Sequence, residues 1–394
     1  MLTRIYNVNR VTASGIVSGS TIDVEDGTIQ NVYDVSAPQA SPDAVMVDGK
    51  GCYAAPGFVD IHLHGGGGIE FMNATPEQIR QGCIAHALHG TTTLLPTTLA
   101  ACPALTLKMV RAVRKAQPVT KECTIAGVHM EGPFLSPAQS GAQSPDALSV
   151  PSPEIWNQLL DEWPDGVRLM GAAPELPNAM ALGEELQRRG ITASIAHSDA
   201  DYAVCREAMD HGFSDVTHIY SGCSMVHRKN GFRFGGVVEA GLLENDLTVQ
   251  VIADGCHLPA ELLRLIVKCK GADHISLITD ALFAAGSDLP DGTVLRQANG
   301  METILEDGVM KLPDRQAFAG SIATMDRLVR NMVNLAGVPL WDAVTMATST
   351  PARVIGVDQK KGTIAPGFDA DIVLLDPALT VKAVMAKGNW IKQL

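Results

Sequence analysis

Short apolar segments that read as β-strands alternate with helical stretches through most of this chain, and this alternation limits the possible folds more than any other feature. Single strands alternating with helices are the pattern of parallel βα units. Eight such units over roughly 300 residues predict an α/β fold, a (β/α)8 TIM barrel. The predicted strands are Phe58–His62, Thr91–Pro96, Ile125–Glu131, Val167–Ala172, Ile191–His197, Asp215–His218, Leu247–Asp254 and His274–Asp280.

The two ends of the chain have a different pattern, in which short β segments are separated by turns. Asp26-Gly27 is a strong hairpin signal near the start, and a turn-rich segment from Gly362 precedes further β segments near the end. Neither end could bury a β face alone. We therefore predict that residues 1–55 and 358–394 together form one small β-sandwich domain.

The barrel is then expected to occupy residues 56–357. Residues 286–316 do not follow the βα repeat, although they lie inside this range. Turn signals at Asp291-Gly292 and Asp307-Gly308 indicate a hairpin inserted after the eighth barrel strand.

Potential metal ligands end five of the eight predicted strands. Functional side chains of such barrels lie at the C-terminal ends of the strands, where loops can enclose a site. A lone histidine is most often a hydrogen-bonded core residue, but six ligand-type residues at equivalent positions predict a metal centre. They are His62, His64, Glu131, His197, His218 and Asp280.

The spacing His62-x-His64 supports this interpretation because alternate side chains of a strand point to the same side. Histidine with carboxylate suits zinc, or iron or manganese, better than magnesium or calcium. We expect one or two divalent cations, with zinc the best fit. Asp280 is the expected general base toward water and the donor to a leaving group.

The bulk properties exclude several classes of function. A formal net charge of -13 argues against nucleic-acid binding, and no apolar run is long enough to predict a membrane helix. The eight cysteines are scattered without a Cys-x-x-Cys pair. In a chain of this size that pattern is typical of reduced thiols, so we expect a cytoplasmic protein with a small-molecule substrate.

Several motifs make the chain resemble a known family. His62-Leu-His64-Gly65, Thr279-Asp280 and the tail from Gly362 resemble the amidohydrolase superfamily. Within that superfamily, the segments Val128-His-Met-Glu-Gly-Pro-Phe, Ile252-Ala-Asp-Gly-Cys-His and Phe318-Ala-Gly-Ser are similar to the N-acetylglucosamine-6-phosphate deacetylase family. The resemblance covers essentially the whole chain. It implies hydrolysis of the N-acetyl group of a 2-acetamido sugar 6-phosphate by a homodimer.

The resemblance also implies roles for individual residues. Glu131, His197 and His218 would hold the main metal, while His62 and His64 could bind a second cation that Glu131 bridges. Asp280 matches the general acid/base. The residues expected to contact the substrate are Ala142, Gln143, Ser221, Gly222, Arg228, His257, Phe318, Ala319 and Gly320.

Two departures from the family pattern affect these expectations. Gln143 stands where many members have a histidine that polarises the carbonyl, and we hypothesise that a cation at His62 and His64 supplies the missing help. Ser221-Gly222 replaces the usual Asn-Ala beside the phosphate, so either Arg228 or Arg233 is a candidate for the anion contact.

Two alternatives therefore stay open. The first is an amidohydrolase acting on an unphosphorylated acetamido sugar or another N-acyl small molecule. The second is a non-catalytic homologue that serves in binding or assembly, although such a protein would be expected to lose ligands that this chain keeps. The sequence does not fix the native metal or the sugar epimer.

Overall fold

The computed structural model describes residues 1–35 and 44–394. Residues 36–43 belong to the predicted N-terminal sandwich segment and lie outside the described residues. The strands are β1 (Thr3–Thr12), β2 (Gly15–Glu25), β3 (Thr28–Tyr33), β4 (Val45–Asp48), β5 (Tyr53–Pro56), β6 (Phe58–Leu63), β7 (Gly65–Gly66), β8 (Ile69–Glu70), β9 (Thr91–Thr98), β10 (Thr124–Ile125), β11 (Val128–Glu131), β12 (Val167–Ala172), β13 (Thr192–Ile195), β14 (Phe213–Val216), β15 (His227–Lys229), β16 (Phe232–Phe234), β17 (Thr248–Val251), β18 (Ile275–Leu277), β19 (Val294–Arg296), β20 (Glu302–Glu306), β21 (Val309–Lys311), β22 (Phe318–Gly320), β23 (Ile372–Leu375), β24 (Val381–Ala386) and β25 (Asn389–Lys392).

The α-helices follow the barrel strands and cover them from outside. The first begins at Thr75, whose hydroxyl accepts a hydrogen bond from the Gln78 amide while the Gln78 side chain accepts one from Thr75, a capping box. The helices are α1 (Pro76–Ala87), α2 (Pro103–Ala116), α3 (Pro153–Leu160), α4 (Ala179–Arg188), α5 (Tyr202–Asp210), α6 (Val237–Leu243), α7 (Ala260–Lys270), α8 (Met325–Asn334), α9 (Leu340–Ala347) and α10 (Ser349–Val354).

The predicted (β/α)8 barrel is confirmed. Its strands pair in parallel in the order β6, β9, β10 with β11, β12, β13, β14, β17 and β18. The ring closes where a parallel bridge joins Leu63 to Ala281. At this point the backbone amide of Asp280 donates to the carbonyl of His62 at 2.9 Å. Closure therefore brings the first and last candidate ligands together.

Several barrel strands are shorter than the apolar runs predicted. The third run is split into β10 and β11 at Gly127, whose φ is +149° and where a Cβ would lie 2.2 Å from the carbonyl oxygen of Gly166. The fifth, sixth and eighth strands end at Ile195, Val216 and Leu277, before their candidate ligands. The ligands lie in the loops that follow because their backbones leave the extended conformation.

Strands from both termini form the predicted β-sandwich. The sheet order is β25, β24, β23, β5, β1, β2 and β3, so β5 from the N-terminal segment pairs with β23 from the C-terminal segment. This domain has its own apolar core, in which Ile5, Ile22 and Ile372 are completely buried. The predicted boundaries at residues 55/56 and 357/358 stay predictions.

The segment after the eighth strand forms a four-stranded antiparallel sheet, β19 to β22, which extends beyond the predicted insertion at residues 286–316. Asp307-Gly308 joins β20 to β21, as expected. Asn299-Gly300 lies in the connection from β19 to β20, residues 312–317 connect β21 to β22, and Asp291-Gly292 precedes the sheet. Gly300 has a φ of +89°, which its missing side chain permits. Among the described residues, no helix is long and apolar enough to cross a membrane.

Candidate active site

The candidate ligands meet at the C-terminal mouth of the barrel because each one directly follows or ends a barrel strand. Glu131 ends β11, and His62 lies within β6. His197, His218 and Asp280 have positive φ angles of 44°, 25° and 47°. The left-handed backbone turns these three residues off their strands, at a cost in conformational energy. Such strain at three strand ends of one barrel mouth is typical of a functional site.

Glu131 lies at the centre of the cluster and belongs to two groups that could each hold a cation, one with His62 and His64 and one with His197 and His218. Its Oε1 atom lies 3.1 Å from His197 Nε2 and 3.0 Å from His218 Nε2. Its Oε2 atom lies 3.3 Å from His64 Nε2. The carboxylate is therefore placed to bridge two adjacent sites.

Each of the four histidines has an acceptor at Nδ1, on the side away from Glu131. Three Nδ1 atoms face backbone carbonyls: His197 faces Gln139 at 2.7 Å, His218 faces Ser221 at 3.0 Å and His64 faces Thr97 at 3.2 Å. When Nδ1 donates, Nε2 carries the lone pair, and this lone pair points toward the centre of the cluster. This arrangement of outer partners is what metal-binding histidines require.

The orientation of His62 follows from a longer hydrogen-bond chain. The Gln250 side chain donates from Nε2 to Asp215 at 2.7 Å, so its oxygen faces His62 Nδ1 at 3.1 Å and accepts a hydrogen bond from it. His62 Nε2 then faces His64 Nε2 at 3.2 Å. Two lone pairs facing each other at this distance repel unless a positive charge lies between them. The geometry therefore fits a cation at this pair.

The electrostatics of the cluster also favour bound positive charge. Burial alone would raise the pKa of Glu131, but the surrounding imidazole rings of His62, His197 and His218 outweigh it, and the pKa lies well below its usual range. Burial would also raise the pKa of Asp280, but the neighbouring His64 and His62 hold this pKa below its ordinary value. Both carboxyl groups are therefore ionised at neutral pH.

A single cavity of about 190 Å³ opens over this cluster. Asp280 projects into it, and its Oδ1 lies 3.2 Å from His64 Nε2. On the opposite side, Asp254 accepts a hydrogen bond at 2.8 Å from Nδ1 of His257, whose ring packs on Phe318 with centroids 4.9 Å apart. The His257 ring is thereby fixed, with Nε2 free to contact a bound molecule.

Gln143 lies in the loop that covers the ligand cluster. Its Nε2 donates to Glu131 Oε2 at 2.7 Å, and its oxygen accepts from the backbone amide of Ala100 at 2.8 Å. Both ends of this amide are thus engaged, and the side chain is held against the bridging carboxylate. Gln143 can donate a hydrogen bond there but cannot carry charge.

Most of the candidate site residues meet at this cavity. Three do not line it: His62 is completely buried beneath the mouth, and Arg228 and Arg233 lie on the exposed hairpin formed by β15 and β16. The candidates that line the cavity are His64, Glu131, Ala142, Gln143, His197, His218, Ser221, Gly222, His257, Asp280, Phe318, Ala319 and Gly320.

Sequence reasoning missed four residues that also line the cavity, namely Leu99, Gly141, Gln297 and Ala317. Gly141 directly precedes the candidates Ala142 and Gln143, so its neighbours could have indicated it. Gln297 follows β19 in the inserted sheet, and no local motif signals that this sheet reaches the barrel mouth.

Residues 53–391 of the chain match the amidohydrolase family. This chain belongs to the amidohydrolase family. The predicted superfamily resemblance is thereby confirmed, and with it the assignment as a hydrolase that acts on amide bonds. The family match begins in β5 and ends in β25, so it includes the barrel and the C-terminal part of the β-sandwich.

This amidohydrolase is also similar to individual characterised proteins. It is 30% identical over 98% of its length to N-acetylgalactosamine-6-phosphate deacetylase of Escherichia coli O157:H7, covering 99% of that protein. It is 33% identical to N-acetylglucosamine-6-phosphate deacetylase of Danio rerio, over 88% of this chain and 86% of the relative.

A solved structure shares the fold over its full length. This is a variant of N-acetyl-D-glucosamine-6-phosphate deacetylase from Mycobacterium smegmatis in complex with N-acetyl-D-glucosamine-6-phosphate. The two are 32% identical with a TM-score of 0.89, and the alignment covers 100% of this chain and 99% of the other.

Proposed function

We propose that this amidohydrolase removes the N-acetyl group of a 2-acetamido sugar 6-phosphate, converting N-acetylglucosamine 6-phosphate and water to glucosamine 6-phosphate and acetate. The observation that carries the proposal is the cluster of four histidines around Glu131, beside an ionised Asp280, at the mouth of one cavity. Relatives that span the chain carry the names of deacetylases acting on N-acetylated amino-sugar 6-phosphates.

The proposed centre holds one or two divalent cations through Glu131, His197 and His218, with His62 and His64 as the second group. A bound cation would lower the pKa of water toward 7 and stabilise negative charge on the acetamide oxygen. Nitrogen and carboxylate ligands support zinc, with iron or manganese as alternatives.

Asp280 is the proposed proton carrier. It is ionised, reaches the cavity and lies at hydrogen-bond distance from His64, so its free oxygen can accept a proton from the attacking water. The same carboxyl group can then deliver that proton to the departing sugar nitrogen. An amine is a poor leaving group without that proton, which makes this transfer a requirement for cleavage.

The remaining cavity residues support substrate binding. Gln143 and Ala142 lie over the ligand cluster, where the acetamido group must sit to react, and His257 offers Nε2 to the sugar. Ser221 and Gly222 follow His218. The Ser221 backbone amide already donates to the His218 carbonyl at 2.9 Å, so the Gly222 backbone amide is the candidate phosphate donor.

The position of Arg228 supports a homodimer in which this residue serves the neighbouring subunit's site. The hairpin of β15 and β16 is exposed on every residue. Phe232 on it is 74% exposed, and Val226 immediately before it is 57% exposed. Large exposed apolar side chains indicate an interface. An arginine that projects from such an interface can reach an anion outside its own chain.

All eight cysteines are free thiols, which supports a cytoplasmic location.

The deciding experiment measures acetate release from N-acetylglucosamine 6-phosphate and from N-acetylglucosamine. The enzyme is loaded in turn with zinc, iron and manganese, and kcat/KM is compared. We expect a preference of about a hundredfold or more for the phosphorylated sugar. Equal kcat/KM values for both sugars would favour the unphosphorylated alternative, and no release from either would reject the proposed substrate class.

A further inference from the structure

Gln297 lines the cavity, and its side-chain amide makes no hydrogen bond to the part of the protein that the structure describes. It is 4% exposed, lines the cavity above the ligand cluster, and follows β19 in the inserted sheet. Neither its amide nitrogen nor its amide oxygen has a hydrogen-bond partner among the residues that the structure describes. A buried amide without partners costs free energy, so such groups are rare unless a ligand satisfies them.

The backbone around Gln297 holds this side chain in place. The Gln297 amide donates to the carbonyl of Met301 at 2.8 Å, and its own carbonyl accepts from Gly300 at 2.9 Å. The next amide, that of Ala298, donates to both carboxylate oxygens of Glu70, at 2.8 and 3.0 Å. Glu70 follows the ligand-bearing β6 segment closely, so these bonds fix the inserted sheet to the barrel mouth.

The other polar groups of the cavity are already engaged or have an expected role. Gln143 uses both ends of its amide within the protein, and His257 Nδ1 is bonded to Asp254. The histidines and carboxylates surround the reaction centre. Among the cavity residues described, Gln297 is the amide with both a donor and an acceptor free.

We propose that Gln297 is a substrate-binding residue that hydrogen-bonds ring hydroxyl groups of the sugar. This inference rests on the proposed function. A hydroxyl both donates and accepts, as the Gln297 amide does, whereas a phosphate only accepts. The acetamide N–H and carbonyl of the substrate also donate and accept, but they must lie over the ligand cluster to react. Because neighbouring hydroxyls of a sugar ring can engage both ends of one amide, this residue recognises the ring itself.

The test replaces Gln297 with methionine, which has nearly the same shape and no hydrogen-bonding amide. Gln297→Met is compared with Gln316→Met, a matched change at an exposed glutamine outside the cavity. Steady-state kinetics are measured on N-acetylglucosamine 6-phosphate and N-acetylgalactosamine 6-phosphate, and thermal unfolding is followed for all proteins. We expect kcat/KM of Gln297→Met to fall about tenfold or more, mainly through KM.

The unfolding temperature separates a binding role from a structural one. Removing an unpartnered buried amide should leave the melting temperature unchanged or raise it, because no internal hydrogen bond is lost. A larger fall with one epimer would assign the contact to the C4 hydroxyl, and equal falls would assign it to a hydroxyl that both sugars share.

Two results would overturn the proposal: kcat/KM within about twofold of wild type on both sugars, or a loss of activity accompanied by a lower melting temperature. The wild-type control distinguishes this failure from failure of the proposed function, since a wild-type enzyme that releases no acetate from either sugar rejects both.

Discussion

At the scale of single residues, Asp280 is the group whose chemistry is easiest to isolate. Asn has the same shape and cannot accept the proton, so Asp280→Asn should lower kcat by about a hundredfold to ten-thousandfold. Metal content should stay near wild type because Glu131, His197 and His218 are unchanged. Acetate release and elemental analysis on the same preparation check this. A kcat within about tenfold of wild type would remove Asp280 from the proton transfer.

Substituting His62 and His64 tests how the enzyme polarises the substrate carbonyl when residue 143 is glutamine and not histidine. If a second cation at this pair replaces a missing cationic side chain, exchanging both histidines for Asn should lower kcat about tenfold or more. Adding Gln143→His to that variant should restore part of the loss, since imidazolium can polarise the carbonyl. Full turnover in the double variant, with one cation per chain, would contradict the hypothesis.

His86 makes stability depend on pH. It is completely buried, its Nε2 donates to the carbonyl of Gly65 at 2.8 Å, and burial lowers its pKa from 6.5 to about 4. The folded protein therefore keeps His86 neutral, whereas the unfolded chain takes up a proton below pH 6.5. The stabilisation is complete above pH 6.5 and is lost as the pH falls toward 4, up to about 3 kcal/mol.

Urea unfolding of wild type and His86→Gln at pH 7 and pH 4.5 measures this effect. Wild type should lose more unfolding free energy between the two pH values than the variant, in which glutamine can still donate to Gly65. His274→Gln, at a partly exposed histidine without an ion pair among the described residues, is the control and should behave as wild type. Identical losses in wild type and His86→Gln would show that another group is responsible.

The clustering of the candidate ligands was predictable because barrel topology brings all strand ends to one rim, and six polar residues lie at those ends. The left-handed backbone of His197, His218 and Asp280 was not predictable, because periodicity indicates which side a residue faces but not where a strand ends. Gln297 was missed for a different reason: its place depends on how a separate sheet folds back over the barrel.

At the scale of elements, the hairpin of β15 and β16 matters for phosphate binding because it contains Arg228. If Arg228 serves the neighbouring site, Arg228→Ala should raise KM for the phosphorylated sugar about tenfold or more. Co-expression of Arg228→Ala with Asp280→Asn should regain about a quarter of wild-type activity, because each mixed dimer contains one site with both groups intact. Activity no greater than the mean of the two variants would place the arginine in its own subunit's site.

Element types were predictable where the pattern was strong, as in the barrel strands. The inserted sheet was only partly anticipated, because its fourth strand, Phe318–Gly320, has no alternating pattern and is held by pairing with β21. Strand length depends on contacts with neighbouring strands, which the local sequence does not contain.

At the scale of the whole molecule, metal removal should destabilise the fold. A cation bound by Glu131 and the histidines stabilises the folded state alone, and its removal leaves buried carboxylate and imidazole groups without their partner. Prolonged dialysis against a chelator should lower the melting temperature and abolish acetate release. Adding zinc should restore both. An unchanged melting temperature would contradict a structural contribution from the metal.

The barrel with a sandwich built from both ends was predictable as an arrangement because neither terminal β segment could bury a face alone. The register between β5 and β23 was not predictable, because Pro56 and Ile372 are paired although the entire barrel separates them in the sequence.

That pairing has a consequence for synthesis. A ribosome produces β1 to β5 first, and the edge of β5 that receives β23 stays open until the whole barrel has been made. During that interval, the nascent sheet presents unpaired amide and carbonyl groups and part of its apolar face. The C-terminal strand β23 thus completes the sheet that the first strands of the chain began. Premature termination upstream of Ile372 should therefore yield a product that chaperones retain or that aggregates.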